Sequence, residues 1–297
     1  MAQGVMDRPW RVALREYAHT VPLLSGAVRP EGVPLDFVEV EPINRAFAPM
    51  VRELAFDVCE LAIATVFQAV EAGVPIVALP VVLHGNHHHR SISVLDASRR
   101  VAPGDLAGRR VGVRSYSQTT GMWVRGVLSD TYGLDPASVT WVTREGPHVA
   151  QAIDPGNVEH ADAPLVEMLR DGDLAAVVMG ARSVDHVDAL VPLLPDVDAQ
   201  QKAYEQEHGW MPINHLAVVR RDLVEEHPEA VRAVYGALTR SIEAARPDVP
   251  RVIEYGPTHT MVDSLETALR YSREQGIIGR SMTVDELFTP FRELVDA

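Results

Sequence analysis

The 297-residue chain has room for one large or two small domains, and 46% hydrophobic with 23% charged residues suits a globular protein with a real core. A net charge of -14 argues against nucleic acid, whose phosphates need clustered Lys and Arg, yet leaves room for a small anion held by a few inward-pointing Arg and His. No apolar run approaches the ~18 residues of a membrane span. The opening MAQGVMDRPWRVALR lacks the apolar core of a signal peptide, and the single Cys59, in an apolar stretch, reads as a buried inert thiol. The expectation is a cytoplasmic protein with no membrane or nucleic-acid partner.

In chain order, Arg11–Tyr17 reads as a strand and His19–Gly26 as a helix. Pro34–Glu41 alternates apolar and polar residues like a half-buried strand, and Asn44–Leu54 has helical spacing. A short apolar strand over Asp57–Ala64 is followed by a helix over Thr65–Ala72, stopped by Gly73. Pro75–Leu83 is the next strand, and a His-rich loop follows it. A second unit starts near Ala97, with a turn and strand over Pro103–Val113 and a long helix over Thr119–Tyr132 that ends at Gly133. Val139–Thr143 reads as a strand, 144–162 as loop, Pro164–Asp171 as a helix, Ala175–Met179 as a buried strand and Asp196–His208 as a polar-faced helix. Pro212–Arg220 is again a strand, followed by helices over Arg221–Glu226, Glu229–Ala245, His259–Gln275 and Val284–Val295. Alternating strands and helices imply largely parallel sheets covered by helices. The expected plan is one lobe from 1–96 and 211–297 and a second from 97–210, with the carboxyl ends of their strands facing one cleft.

Three places carry chemistry-bearing residues. The first is His84-Gly85-Asn86-His87-His88-His89-Arg90, where His84, His87 and His88 have the spacing of metal ligands only if the segment is helical, and Gly85-Asn86 argues for a loop. A cationic patch for an anion, with Arg90 as a bidentate fork, fits the same residues, as does a plain solvated loop. The second is Gly112–Thr119, where a strand gives way to a helix whose free N–H groups favour an anion, with Ser117 or Thr119 as cap and Arg114 and Tyr116 alongside. Trp123 and Arg125 lie further along that helix. The third is His215, alone in the apolar strand PINHLAVV at the point where the chain returns between lobes. No phosphate-binding loop, nucleophile elbow, HExxH or GxGxxG is present.

Several phrases resemble the 4,5-dihydroxyphthalate decarboxylase family. LLSGAVRPEGVPLDFVEVEP is similar to that family's opening, and Phe56-Asp57-Val58-Cys59-Glu60 to its F-D-V-S-E. GVRSYSQTTGMWVRG matches its pattern at Tyr116, Thr119, Trp123, Arg125 and Gly126; LLPDVDAQQKAYEQEHGWMPINH matches at Pro195, Asp196, Tyr204, Gly209, Pro212 and His215. Two regions depart from the family: its Arg-His-Ser phrase is His89-Arg90-Ser91 here, with extra His before it, and the 145–162 loop differs. Both are expected to border the cleft, so the substrate need not be dihydroxyphthalate itself.

The resemblance implies an α/β, two-lobed type II periplasmic-binding-protein-like fold and decarboxylation of a hydroxylated aromatic acid by ring protonation. On that reading His89 or His215 donates the proton. Arg90, Arg114 and the helix start at Ser115 and Thr119 hold carboxylates, while Tyr116, Thr65 and Glu60 address ring hydroxyls. His88 and Trp123 complete the wall, and Arg182 adds charge from the second lobe. No cofactor is needed, and a divalent metal would fall to His84, His87 and His88. The partner is a small anionic aromatic molecule, and a homo-oligomer stays open. The alternatives are a solute-binding protein with the same cleft and no chemistry, or a metal-dependent enzyme built on the His cluster.

Overall fold

The structure, a computed structural model, describes residues 8–180 and 190–296. Two sheets organise it. The first has strand order β2-β1-β3-β11-β4, formed by β1 (Trp10–Ala13), β2 (Leu35–Phe37), β3 (Val58–Ala62), β4 (Ile76–Gly85) and β11 (Ile213–Arg220). The second, of six strands, runs β10-β5-β9-β6-β7-β8, from β5 (Ile92–Val94), β6 (Arg110–Val113), β7 (Thr140–Thr143), β8 (Val158–His160), β9 (Ala176–Val178) and β10 (Val191–Pro192). The chain thus enters the second sheet at Ile92, ahead of Ala97, and returns to the first at Ile213.

Neither sheet is purely parallel. β11 lies antiparallel between β3 and β4, and β5 runs antiparallel to both β9 and β10. The other pairings are parallel, and β1, β2, β3, β6 and β8 lead into helices. The short strands β5, β8 and β10 have too few residues to show alternation, so the sequence does not announce them. β4 is longer than expected. It continues through His84 and Gly85, so the first residues of the His-rich segment are strand, not loop. Gly85 is required there: a Cβ would lie 2.8 Å from the Pro212 carbonyl oxygen and 2.5 Å from Val252.

The helices are α1 (Val21–Leu24), α2 (Phe47–Glu53), α3 (Ile63–Glu71), α4 (Thr119–Tyr132), α5 (Leu165–Asp171), α6 (Val197–His208), α7 (Arg221–Glu226), α8 (Pro228–Ala244), α9 (His259–Glu274) and α10 (Val284–Asp296). α4 keeps the bounds expected from sequence and stops at Gly133, whose φ of 67° is the left-handed turn that glycine adopts without strain. This helix joins the lobes behind the cleft. Trp123 Nε1 donates to the Ile213 carbonyl at 2.9 Å, and the buried Arg125 donates to Gln275 Oε1 at 2.7 Å. One hydrophobic core therefore runs through both sheets. A separate small cluster of Val142, Met168, Leu169, Leu174 and Val177 lies beneath α5.

Candidate active site

Between the sheets lies a cavity of about 700 Å³, of a size to hold a single substituted ring. Its first wall comes from the first sheet and α2–α3 (Arg15, Phe47, Thr65, His84, Asn214, His215). The opposite wall comes from the β6–α4 turn and the segment after β7 (Arg114, Ser117, Gln118, Thr119, Arg144, His148).

Register brings the first wall together. His215 on β11 pairs with His84 on β4 on one side and with Ala62 on β3 on the other. Glu60, two residues before Ala62 on β3, shares its face and is the diagonal neighbour of His215. The fully buried Glu60 carboxylate accepts from His215 Nδ1 at 2.6 Å, from the Tyr17 hydroxyl at 2.8 Å and from the Arg15 backbone N–H at 3.1 Å. Burial pushes this carboxyl up, but the bonds from His215, Tyr17 and Arg15 outweigh it and hold it below its ordinary value of 4.5. An ionised carboxylate so held fixes the His215 ring and leaves Nε2 for the cleft.

His84 sits beside it, ring centroids 5.2 Å apart, at the end of a stack in which Tyr17 lies 5.8 Å from His84 and 5.0 Å from His19. Burial, aided by the neighbouring His215, pushes His84 down to about 4. At neutral pH it is an uncharged imidazole. Phe47 presents its ring edge-on between His215, at 5.3 Å, and His148, at 5.7 Å.

On the second wall α4 points its N-terminus at the cavity. Its N-cap is Gln118, which makes no side-chain bond to the first N–H groups. Ser117 and Thr119, the expected caps, are engaged elsewhere: Ser117 with Ser115, and Thr119 Oγ1 as acceptor of the Ala64 N–H at 3.3 Å. The helix start is thus left to an anion. Arg114 lines the cleft but is ion-paired with Glu145. Arg15 and Arg144 also line it and have no carboxylate partner among the described residues.

Of the residues expected at the site, His215, Thr65, Arg114 and Thr119 line the cleft, and Glu60 stands directly behind it. The others do not. His89 is buried in a 3-10 turn against Tyr204, ring centroids 5.3 Å apart, and is not among the residues that line the cavity. Arg90 faces outward and pairs with the exposed Asp198 at 3.0 Å. His88 is buried behind the wall, stacked on Trp123 and bonded to Asn214 Oδ1 at 3.0 Å. Trp123 is core. Tyr116 donates its hydroxyl to the Gln275 carbonyl at 2.8 Å, and Ser115 bonds the Gly146 carbonyl. Arg182 lies outside the described residues. The proposed metal set disperses, because β4 carries His84 into the cleft while His87 turns to Glu205 and His88 to Asn214. Among the described residues no group of three His, Cys, Asp or Glu converges on one point. Arg15, Phe47, Arg144 and His148 were not singled out from sequence. His148 sits in the divergent 145–162 loop, and that divergence was the one available signal.

Fold and site together define a two-lobed α/β protein with the type II periplasmic-binding fold and a cavity between its sheets. The alkanesulfonate-binding protein SsuA of Xanthomonas axonopodis pv. citri, solved with MOPS, superposes with a TM-score of 0.60 over 94% of this chain and 97% of its own, at 14% identity. The NMT1/THI5-like family model matches residues 29–248. Proteins named 4,5-dihydroxyphthalate decarboxylase are 29% identical in Comamonas testosteroni (88% of this chain, 82% of that one) and 32% identical in Pseudomonas putida (56% and 68%). The chain belongs to the NMT1/THI5-like family and to the 4,5-dihydroxyphthalate decarboxylase family.

Proposed function

We propose that the protein decarboxylates a hydroxylated aromatic carboxylic acid of the 4,5-dihydroxyphthalate kind, with His215 as proton donor. The observation that carries this reading is the Glu60–His215 pair facing a ring-sized cationic cleft. In such a substrate each carboxylate is para to a hydroxyl, which feeds electrons to the ring carbon that must be protonated. His215, as imidazolium, delivers a proton from Nε2 to that carbon, and Glu60 balances its charge from behind. The ring–carboxylate bond then breaks, its electron pair restores aromaticity, and CO₂ leaves. His215 is reprotonated from solvent.

The second carboxylate is held by Arg144 and the first N–H groups of α4, with Arg15 adding positive charge across the cleft. Neutral His84, next to the donor, accepts a hydrogen bond from a ring hydroxyl and so raises electron density on the ring. Thr65 addresses a hydroxyl as well. The two neighbouring imidazoles thus take different roles, one donating a proton and the other accepting a hydrogen bond.

The test is CO₂ release from a panel of hydroxylated phthalates and benzoates by wild type and His215→Asn. Release that vanishes in the variant, with unchanged circular dichroism, supports the reading. Equal rates in both would refute it. The anion-facing α4 start supports a second reading, a binding protein for a small anionic aromatic solute. Tight binding across the panel with no CO₂ from wild type would favour that one.

A further inference from the structure

The segment Glu145–Val149 belongs to the second lobe but is fastened to the first. Arg52, exposed on α2, reaches across and donates from Nε to the His148 carbonyl at 2.7 Å and from Nη2 to the Pro147 carbonyl at 3.0 Å. Thr65 Oγ1, on α3, bonds His148 Nδ1 at 2.9 Å, and Phe47 packs edge-on against the His148 ring. On its own side the segment is held by the Arg114–Glu145 ion pair and by Ser115 on the Gly146 carbonyl. Arg144, just before the segment, and Glu145, its first residue, are exposed, and Val149 is fully buried, as an anchor would be. With the Pro147 and His148 carbonyls and one imidazole nitrogen taken by the opposite lobe, the cavity-lining His148 keeps its other ring nitrogen, Nε2, for a ligand.

We propose that Glu145–Val149 is a latch that closes the cleft over its ligand, that Arg52 is its clasp, and that His148 is the specificity residue it delivers, reading a phenolic hydroxyl. The chemistry favours a hydroxyl over a further carboxylate. Burial, with Arg114 and Arg52 nearby, pushes His148 down to about 4, so its ring is uncharged at neutral pH. The adjacent Arg114 is already paired with Glu145, and Arg52 is turned onto carbonyls. A phenolic hydroxyl donates and accepts, so it satisfies Nε2 in either tautomer, whichever way the Thr65 hydroxyl is turned. A carboxylate satisfies only one. This inference rests on the reading of the cleft as a site for an aromatic acid, but not on catalysis.

The experiment is calorimetric binding of phthalate and 4-hydroxyphthalate, alongside CO₂ release from 4,5-dihydroxyphthalate. Wild type is expected to prefer the hydroxylated ligand by about tenfold or more, since a buried group built to bond a hydroxyl is left unpaired without one. In His148→Phe that preference collapses, with the loss falling on 4-hydroxyphthalate. In Arg52→Gln, KM rises at least fivefold with kcat within twofold, and the amides of Glu145, Gly146, His148 and Val149 exchange hydrogen faster in the presence of phthalate. Arg52→Lys restores part of the KM. A preference that survives His148→Phe, an Arg52→Gln variant with unchanged KM and exchange, or a wild type with no preference would overturn the proposal. Wild type that shows the preference and the protected latch but releases no CO₂ would support it while removing the decarboxylase reading.

Discussion

Replacing Glu60 by Gln probes the charge behind the proton donor while keeping the side chain's shape. Gln retains a carbonyl oxygen that can accept from His215 Nδ1, now at 2.6 Å from the carboxylate, so the ring stays oriented. What disappears is the negative charge facing the imidazolium. Charge centres about 4 Å apart interact by about 4 kcal/mol at an effective dielectric constant of ~20. Each ~1.36 kcal/mol is a decade in rate, so turnover should fall by about 10²–10³-fold. The amide must also find an acceptor for its N–H₂ where the carboxylate accepted from Tyr17 and Arg15, which should lower the melting temperature. The assay is kcat for CO₂ release across pH 5–9, paired with thermal melting to confirm that the variant is folded at the assay temperature. A folded Glu60→Gln enzyme with kcat within threefold of wild type would refute the role given to the pair.

Arg90→Ala should leave kcat and KM within twofold, because Arg90 meets the exposed Asp198 and not the cleft; a large loss of turnover would return Arg90 to the site. Gly126→Ala should destabilise the fold by about 1–3 kcal/mol, since a Cβ there would lie 2.2 Å from the buried Tyr271 ring, and chemical denaturation measures it. Stability should also fall in mild acid. Burial holds His84, His89 and His148 at about 4 and His88 at about 3, against 6.5 for the ordinary imidazole. The unfolded chain therefore binds more protons between pH 6.5 and about 4, so stability is full above 6.5 and is lost as pH falls through that window. Melting temperatures between pH 8 and 4 check this, and His89→Phe should flatten the slope.

Much of the fold was legible because the long elements carry strong punctuation. α4 is bounded by its strand-to-helix turn and by Gly133, and the apolar run of β11 marks the return of the chain. The antiparallel placement of β11 was not legible, since strand direction depends on which edges meet in space and not on a strand's own residues. The same gap explains the site. His84 and His215 are far apart in sequence and look unrelated until β4 and β11 pair, and only that pairing sets Glu60 diagonally behind His215. His89 and Arg90 drew attention through local density of charge and imidazole. Backbone geometry decided otherwise: once β4 extends through Gly85, the next residues leave the cleft face and pack against α6. His148 and Arg144 sit in a loop without periodicity, and the backbone bond that ties His148 to the first lobe comes from Arg52, 96 residues earlier.

The join made by α4 has a thermodynamic consequence. Two lobes linked only by crossing strands could melt separately, each with its own transition. Here Trp123 and Arg125 place one helix in the packing of both, and the main core is continuous. The lobes should therefore unfold together in a single calorimetric transition, with calorimetric and van't Hoff enthalpies in agreement. The part free to loosen first is the small cluster under α5, so amides of α5 and β9 should lose protection before those of β3 and β11.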